Sequence, residues 1–426
     1  MPMQETSLWA VTAAVPPSFA GRPLPASADI VVIGGGYTGI SAALRLAKHG
    51  ARASVLEGRT IGWGASSRNG GQVLTGLKHS APDLVSSLGI ARAHALHAAS
   101  VKTIACVEAI IAEERIECDY TRCGHLAAAV KPAHFEGLKR TQETLARDLD
   151  HPTRLVPKAD LRSELGTDFY QGALVDERSG GLHPAKYING LAQAAARAGA
   201  DLHEATAVTG IERAPDGFRV RTDRGVIQCQ DVFVATNGYT GKITPQLQRR
   251  IIPLGSYIIA TEPLEPELGQ RLIPHQRMVF DTKNFLFYFR LSSDNRMVFG
   301  GRAAFFPATA NTIRRSADML RRDMIMVFPE LRDVALAYAW GGIVDFTFDL
   351  YPHAGQIDGM WYAMGYAGHG VAMATFLGQQ LADCMLGRGG DNPFERMRFP
   401  TIPLYNGKPW FLPVAAAWYR FLDIIS

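Results

Sequence analysis

Residues 28–57, ADIVVIGGGYTGISAALRLAKHGARASVLE, decide the fold. Ala28 to Ile33 is a short apolar run rich in β-branched residues, and it passes through Gly34-Gly35-Gly36-Tyr37-Thr38-Gly39 straight into Ile40–His49, where apolar residues recur at helical spacing up to Gly50. Ala53 to Glu57 reads as a second strand. Together these make a β-α-β unit, the form a parallel sheet with a right-handed crossover needs. Each glycine has a job: Gly34 makes the turn, Gly36 lets backbone N–H groups reach a pyrophosphate, and Gly39 lets the helix pack close on the strand. Glu57, 21 residues past Gly36, ends the second strand and can accept hydrogen bonds from ribose hydroxyls. Tyr37 and Thr38 inside the turn, and Gly58 and Arg59 after Glu57, join the candidate cofactor contacts. By itself the unit indicates a dinucleotide without saying which one.

A second glycine cluster, Gly62-Trp-Gly-Ala-Ser-Ser-Arg-Asn-Gly-Gly-Gln72, begins five residues after Glu57. A segment so rich in glycine and small hydroxyl residues, with one arginine, suits a second set of phosphates or the edge of an isoalloxazine ring. NAD enzymes have no need of it here, so FAD is the cofactor it selects. Here the sequence resembles the D-amino-acid oxidase-like (DAO) superfamily of FAD oxidoreductases, which includes glycine and sarcosine oxidases. The nearest likeness is to bacterial γ-glutamylputrescine oxidoreductases, which begin with a VIGGGYTGISAA-like stretch followed by GWGASSRNGGQ. Further matching pieces are SGGLHPAKYINGLAQAA (179–195), VFVATNGYT (232–240), FYFRL with VFGGR (287–302), Trp340 through Gly355, and GYAGHGVAMAT (365–375).

The fold this implies is α/β with antiparallel β: a Rossmann-like FAD-binding domain and an interleaved substrate-binding domain, as in glycine and sarcosine oxidases. The expected FAD-binding segments are 28–80, 170–245 and 341–390. The substrate domain takes 81–169, alanine-rich and helical, and 246–340, where apolar and polar positions alternate between turns. Residues 1–27 and 391–426 are terminal extensions.

The resemblance also implies cofactor contacts. Val208 flanks the adenine, and Gly64, Ala65, Ser66, Arg68, Asn69, Gly70, Gly71 and Gln72 approach the flavin or its pyrophosphate. Thr236, Asn237, Gly238 and Gly342 add to them, and Gly365, Gly368, His369, Gly370 and Val371 stand at the pyrimidine end of the ring. An apparent helix begins at Val371, and its N-terminal partial charge would stabilise negative charge on a reduced ring. Some relatives bind flavin covalently through histidine or cysteine; the early cluster has no His and 340–352 no Cys, so FAD is expected to be non-covalent.

The implied reaction is oxidation of a C–N bond in an amine or amino acid, by hydride transfer to flavin and hydrolysis of the imine. A γ-glutamylputrescine-like amine leads; a cyclic or N-methylated amino acid of pipecolate, proline or sarcosine type is the alternative, and a non-catalytic flavoprotein a third. His369, Tyr257 and Tyr288 are the candidate catalytic residues. Arg290 stands where glycine oxidase-like proteins carry a carboxylate-binding arginine. Arg302, Trp340, Tyr351 and Tyr366 are further substrate-wall candidates. Monomeric sarcosine oxidases carry an oxygen-activating lysine near the matching VFGGR strand, where this chain has Met297, Val298 and Phe299, so either O2 or another acceptor could reoxidise the flavin.

Composition sets the outer limits. At 426 residues, 47% of them hydrophobic, the chain can bury a sizeable core. A net charge of +4 with scattered basic residues gives no reason for a nucleic-acid partner. Five cysteines without C-x-x-C spacing indicate neither a disulfide framework nor a metal site, and read as the thiols of a cytoplasmic protein. The first residues lack the basic start of a secretory signal, and no apolar run nears the roughly 20 residues of a membrane span. The C-terminal stretch PWFLPVAAAWYRFLDII is expected to dock on its own domain.

Overall fold

The structure, a computed structural model, describes residues 3–301, 310–390, 392–395, 397–414 and 418. Two eight-stranded sheets dominate the described residues. The first is built around Ser27–Ile33, whose nearly continuous burial suits a central parallel strand covered on both faces. Val226–Val234 and Ala53–Leu56 flank it in parallel. Met360–Met364 and Asp201–His203 continue the sheet outward in the same sense, and His353–Ile357 closes one edge as a hairpin. Val208–Ala214 and Gly217–Thr222 form an antiparallel flap on Val226–Val234. The helix Tyr37–Lys48 buries Ile40, Leu44 and Leu46 beside the helix Gly370–Met385, and its last turn carries Arg45 and Lys48, which complement the helix dipole.

The second sheet runs in the order Leu336–Phe346, Ile252–Thr261, Met297–Gly301, Phe287–Leu291, Met278–Asp281, His125–Ala128, Gly172–Asp176, Arg154–Pro157. It is antiparallel except where Met278–Asp281 pairs with His125–Ala128. Strand alternation gives it two unlike faces. Tyr257, Phe287, Phe289 and Phe299 pack on one face, where Phe328 covers them. Ser256, Ile258 and Tyr288 point from the other toward the first sheet. A short pairing of Gln72–Val73 with Gly180–Gly181 stitches the second glycine cluster to the 179–195 segment.

Packing redraws part of the expected division. The strand Gly172–Asp176 and the whole of Leu336–Phe346 hydrogen-bond within the second sheet. Conversely Ile90–Glu114, assigned with 81–169 to the substrate side, packs on Gly370–Met385 and shares a core with Ile40 and Leu44, because Ala93, Leu96, Ile104 and Val107 form one apolar stripe. This helix is also long and apolar enough by composition to cross a membrane, which the reading of apolar runs missed; its apolar stripe is buried inside the protein. At the C-terminus Leu412 packs with Leu254, Phe346 and Ala367, and Tyr405 donates to Ile251 O at 2.6 Å. Residues 415–417 and 419–425 of the stretch expected to dock lie outside the described residues.

Candidate active site

The glycine turn is shaped by contacts that leave no room for side chains. Gly34 has φ +111°, and a Cβ there would stand 2.8 Å from Ala235 O. A Cβ on Gly39 would collide with Gly34 O, so this glycine sets how closely the helix rides on the strand. Gly36 caps the helix, and Tyr37 N–H donates to Ser66 Oγ at 3.0 Å, which ties the first cluster to the second. Glu57 accepts from Gly35 N–H through Oε2 and from Arg59 N–H through Oε1, both at 2.8 Å. Those bonds fix its carboxylate at the cavity rim, while burial raises its pKa above the usual carboxylate value.

At the other end, Gly365–Val371 leads into Gly370–Met385 with His369 as N-cap. Asn237 and Asp345 hold this segment from below. Asn237 Nδ2 donates to Asp345 Oδ1 at 2.5 Å, Asn237 Oδ1 accepts Gly365 N–H at 3.0 Å, and Asp345 Oδ2 accepts Tyr366 N–H at 3.0 Å. Burial pushes Asp345 up to about 6 despite these donors. Thr38 Oγ1 meets Tyr366 OH at 2.7 Å, linking the two ends of the site through the protein interior. Among the described residues His369 Nδ1 is buried without a hydrogen-bond partner, and burial, helped by the nearby charge of Lys78, lowers its pKa to about 4. Its imidazole is therefore neutral at ordinary pH.

A cavity of ≈ 630 Å³ joins these ends, with Gly36 and Tyr37 on one wall and His369, Gly370 and Val371 on another. Two helix N-termini thus face one space, the arrangement that favours anionic groups at both. Its size falls within the roughly 300–1,000 Å³ of ligand sites. The profile of the DAO family, described as FAD dependent oxidoreductase, matches residues 29–384. The chain belongs to the DAO family of FAD-dependent oxidoreductases. "Probable oxidoreductase OrdL" of Haemophilus influenzae is 33% identical over 406 residues, covering 93% of this chain and 92% of its own. Escherichia coli gamma-glutamylputrescine oxidoreductase is 33% identical over 401 residues, with the same coverage of 93% and 92%. Among solved structures, glycine oxidase from Geobacillus kaustophilus superposes with a TM-score of 0.74 at 22% identity, over 88% of this chain and 99% of that one.

The residues present fit the FAD of the family: a glycine turn closed against side chains, a second cluster on the same wall, and at the far end a buried imidazole whose Nδ1 has no hydrogen-bond partner among the described residues. Most of the expected cofactor contacts line the cavity, from Gly34, Gly36, Tyr37 and Thr38 through Glu57, Gly58 and Arg59 to Gly64, Ala65, Ser66, Arg68, Asn69, Gly70 and Gln72. Val208, Thr236, Asn237, Gly238, Gly342, Gly368, His369, Gly370 and Val371 line it too. Gly39, Gly71 and Gly365 stand behind the wall. Gly71 O accepts from Arg290 and from Leu182 N–H, and a Cβ on Gly365 would run into Thr347.

The substrate candidates fare differently. Tyr288 lines the cavity, its hydroxyl 2.9 Å from Ser256 Oγ. Tyr366 lines it as well, but its hydroxyl is engaged with Thr38 and Ala363 O. Tyr257 points to the opposite face of its strand, into the aromatic core, because its neighbours Ser256 and Ile258 take the cavity side. Arg290 is buried, and its guanidinium donates to Gly71 O, Leu182 O and Leu291 O rather than entering the cavity. Trp340 donates to Arg68 O from outside the cavity wall, and the Tyr351 ring lies tilted against His79 with centroids 4.4 Å apart. Arg302 lies outside the described residues. Reading the sequence missed Leu74, Leu77, Lys78, Phe280 and Leu286, which wall the cavity. Lys78 had one available signal: it follows the second cluster by six residues in the same segment.

Proposed function

We propose that this protein oxidises a C–N bond of an amine or amino acid, and that its substrate is an amine carrying an acidic group, of the γ-glutamylputrescine type. The observation that supports this reading most is that one cavity continues from the glycine turn to a wall of Leu74, Leu77, Ile258, Phe280, Leu286 and Tyr288. When bound, FAD supplies the hydride acceptor. The apolar wall excludes water and holds the reacting amine in its neutral form, so orientation does most of the work and no strong base is needed. His369, neutral because of its burial, serves as a wall and a hydrogen-bonding group. Lys78, on the same wall, takes the role first given to Arg290 and binds the acidic group of the substrate. FAD is held without a covalent bond, the two sheets divide flavin binding from substrate binding, and O2 or another carrier removes the electrons.

A kcat/KM comparison tests the substrate. γ-Glutamylputrescine-like amines should exceed sarcosine, proline and pipecolate by at least an order of magnitude. The reverse order would move the reading to cyclic or N-methylated amino acids. Acid precipitation should leave the yellow colour in the supernatant, and colour in the pellet would overturn non-covalent binding.

A further inference from the structure

Around the second glycine cluster, backbone carbonyls are capped by side chains from distant parts of the chain. Ser67 O accepts from Ser7 Oγ at 3.0 Å, Arg68 O from Trp340 Nε1 at 2.9 Å, Asn69 O from Trp9 Nε1 at 2.8 Å, and Gly71 O from Arg290 Nη1 at 3.0 Å. Inside the cluster Asn69 Nδ2 donates to Ala65 O and Ser66 O, and Asn69 Oδ1 accepts Gly71 N–H at 2.8 Å. The outer side of this loop is thus saturated with donors, two of them from the N-terminal extension.

That extension is built to hold its place. Gln4 exchanges backbone hydrogen bonds with Ala337 and Ala339. Leu8 and Trp9 are buried against Ala185, Ile258, Val298 and Trp340. Thr12 Oγ1 lies 2.9 Å from His183 Nε2. The Trp9 indole is wedged edge-on between His183 and Trp340, with the Arg290 guanidinium above it. A well-packed indole with a fixed N–H is a rigid donor.

A trans peptide directs its N–H opposite to its C=O. With Asn69 O held outward by Trp9, the Gly70 N–H points the other way, and Gly70 is on the cavity wall. We infer that residues 4–12 are a working part of the flavin site, with Trp9 as a positioning residue that aims the Gly70 N–H at bound FAD. Without this donor the Asn69–Gly70 peptide is free to rotate and turn a carbonyl oxygen toward an electron-rich cofactor. The inference rests on FAD occupying the cavity, which wild-type protein tests separately by binding FAD at all.

The test is Trp9→Phe in the full chain, which keeps an aromatic ring and removes the donor. FAD is titrated into apoprotein, the visible flavin spectrum and reduction potential are recorded, and thermal unfolding of the apoprotein is followed alongside. The expected result is FAD binding weakened about three- to tenfold, as for one lost hydrogen bond, with a shifted flavin band and potential. Unchanged FAD affinity, spectrum and potential, with only a lower melting temperature, would reduce Trp9 to packing and overturn the inference. If Trp9→Phe does not fold, Ser7→Ala, which removes the neighbouring donor, is read by the same criteria.

Discussion

The two ends of the cavity are made in opposite ways. The glycine-turn end is made of two short stretches of one β-α-β unit, residues 33–38 and 56–59, held by bonds within that unit, in which Gly35 N–H and Arg59 N–H donate to Glu57. The far end of the cavity is assembled from Lys78, Ile258, Phe280, Tyr288, Asp345 and His369, which the chain brings together across some 290 residues. The first end depends on backbone shape, so its parts are glycines with fixed spacing. The second depends on which face of a strand each side chain takes, so a shift of one residue changes its role.

Substitutions can break this contrast. The largest effect is expected from Gly39→Val, because even a Cβ there collides with Gly34 O. Flavin should be absent from the purified protein, and stability should fall by about 1–3 kcal/mol or more from overpacking. A yellow, stable variant would mean that the turn does not carry the cofactor. Arg290→Met comes next. It strips donors from the buried carbonyls of Gly71 and Leu182, and denaturant unfolding should show a loss of about 2–4 kcal/mol. A stable Arg290→Met protein with a steeply raised KM would restore the arginine to the substrate.

Lys78→Met should do what Arg290→Met does not. It should raise KM for an acidic amine by about tenfold or more, the scale of a charged hydrogen bond, while FAD affinity and melting temperature hold. The smallest effect belongs to His369. Its pKa of about 4 leaves it neutral from pH 5 upward, so raising the pH further removes no proton from it. The rate of flavin reduction in His369→Asn should keep the rising limb of the wild-type pH profile, which then reflects deprotonation of the substrate amine. Loss of that limb would make His369 the base.

The same contrast explains what could be read from the sequence. The parallel sheet, the turn and both glycine clusters were legible because contiguous residues specify them. In the second sheet the alternation was visible, but the phase was not. Tyr257 and Ser256 are equally good candidates until the pairing of Ile252–Thr261 with Leu336–Phe346 fixes which faces the cavity. Arg290 shares a face with Tyr288 yet stops short of the cavity, because the carbonyls of Gly71 and Leu182 lie in its way. Asp345, buried and anchoring both Asn237 and Tyr366, had no local signal at all.

The most direct measurement is an anaerobic titration of the yellow holoenzyme with amines, counting flavin reduced against amine consumed. If FAD in this cavity takes hydride from a C–N bond, a carboxylate-bearing amine should bleach the flavin with one equivalent consumed per FAD, and carbonyl product should appear after hydrolysis. Flavin that stays yellow with every amine and amino acid, yet bleaches with dithionite, would contradict this and leave a flavoprotein that holds its cofactor for structure.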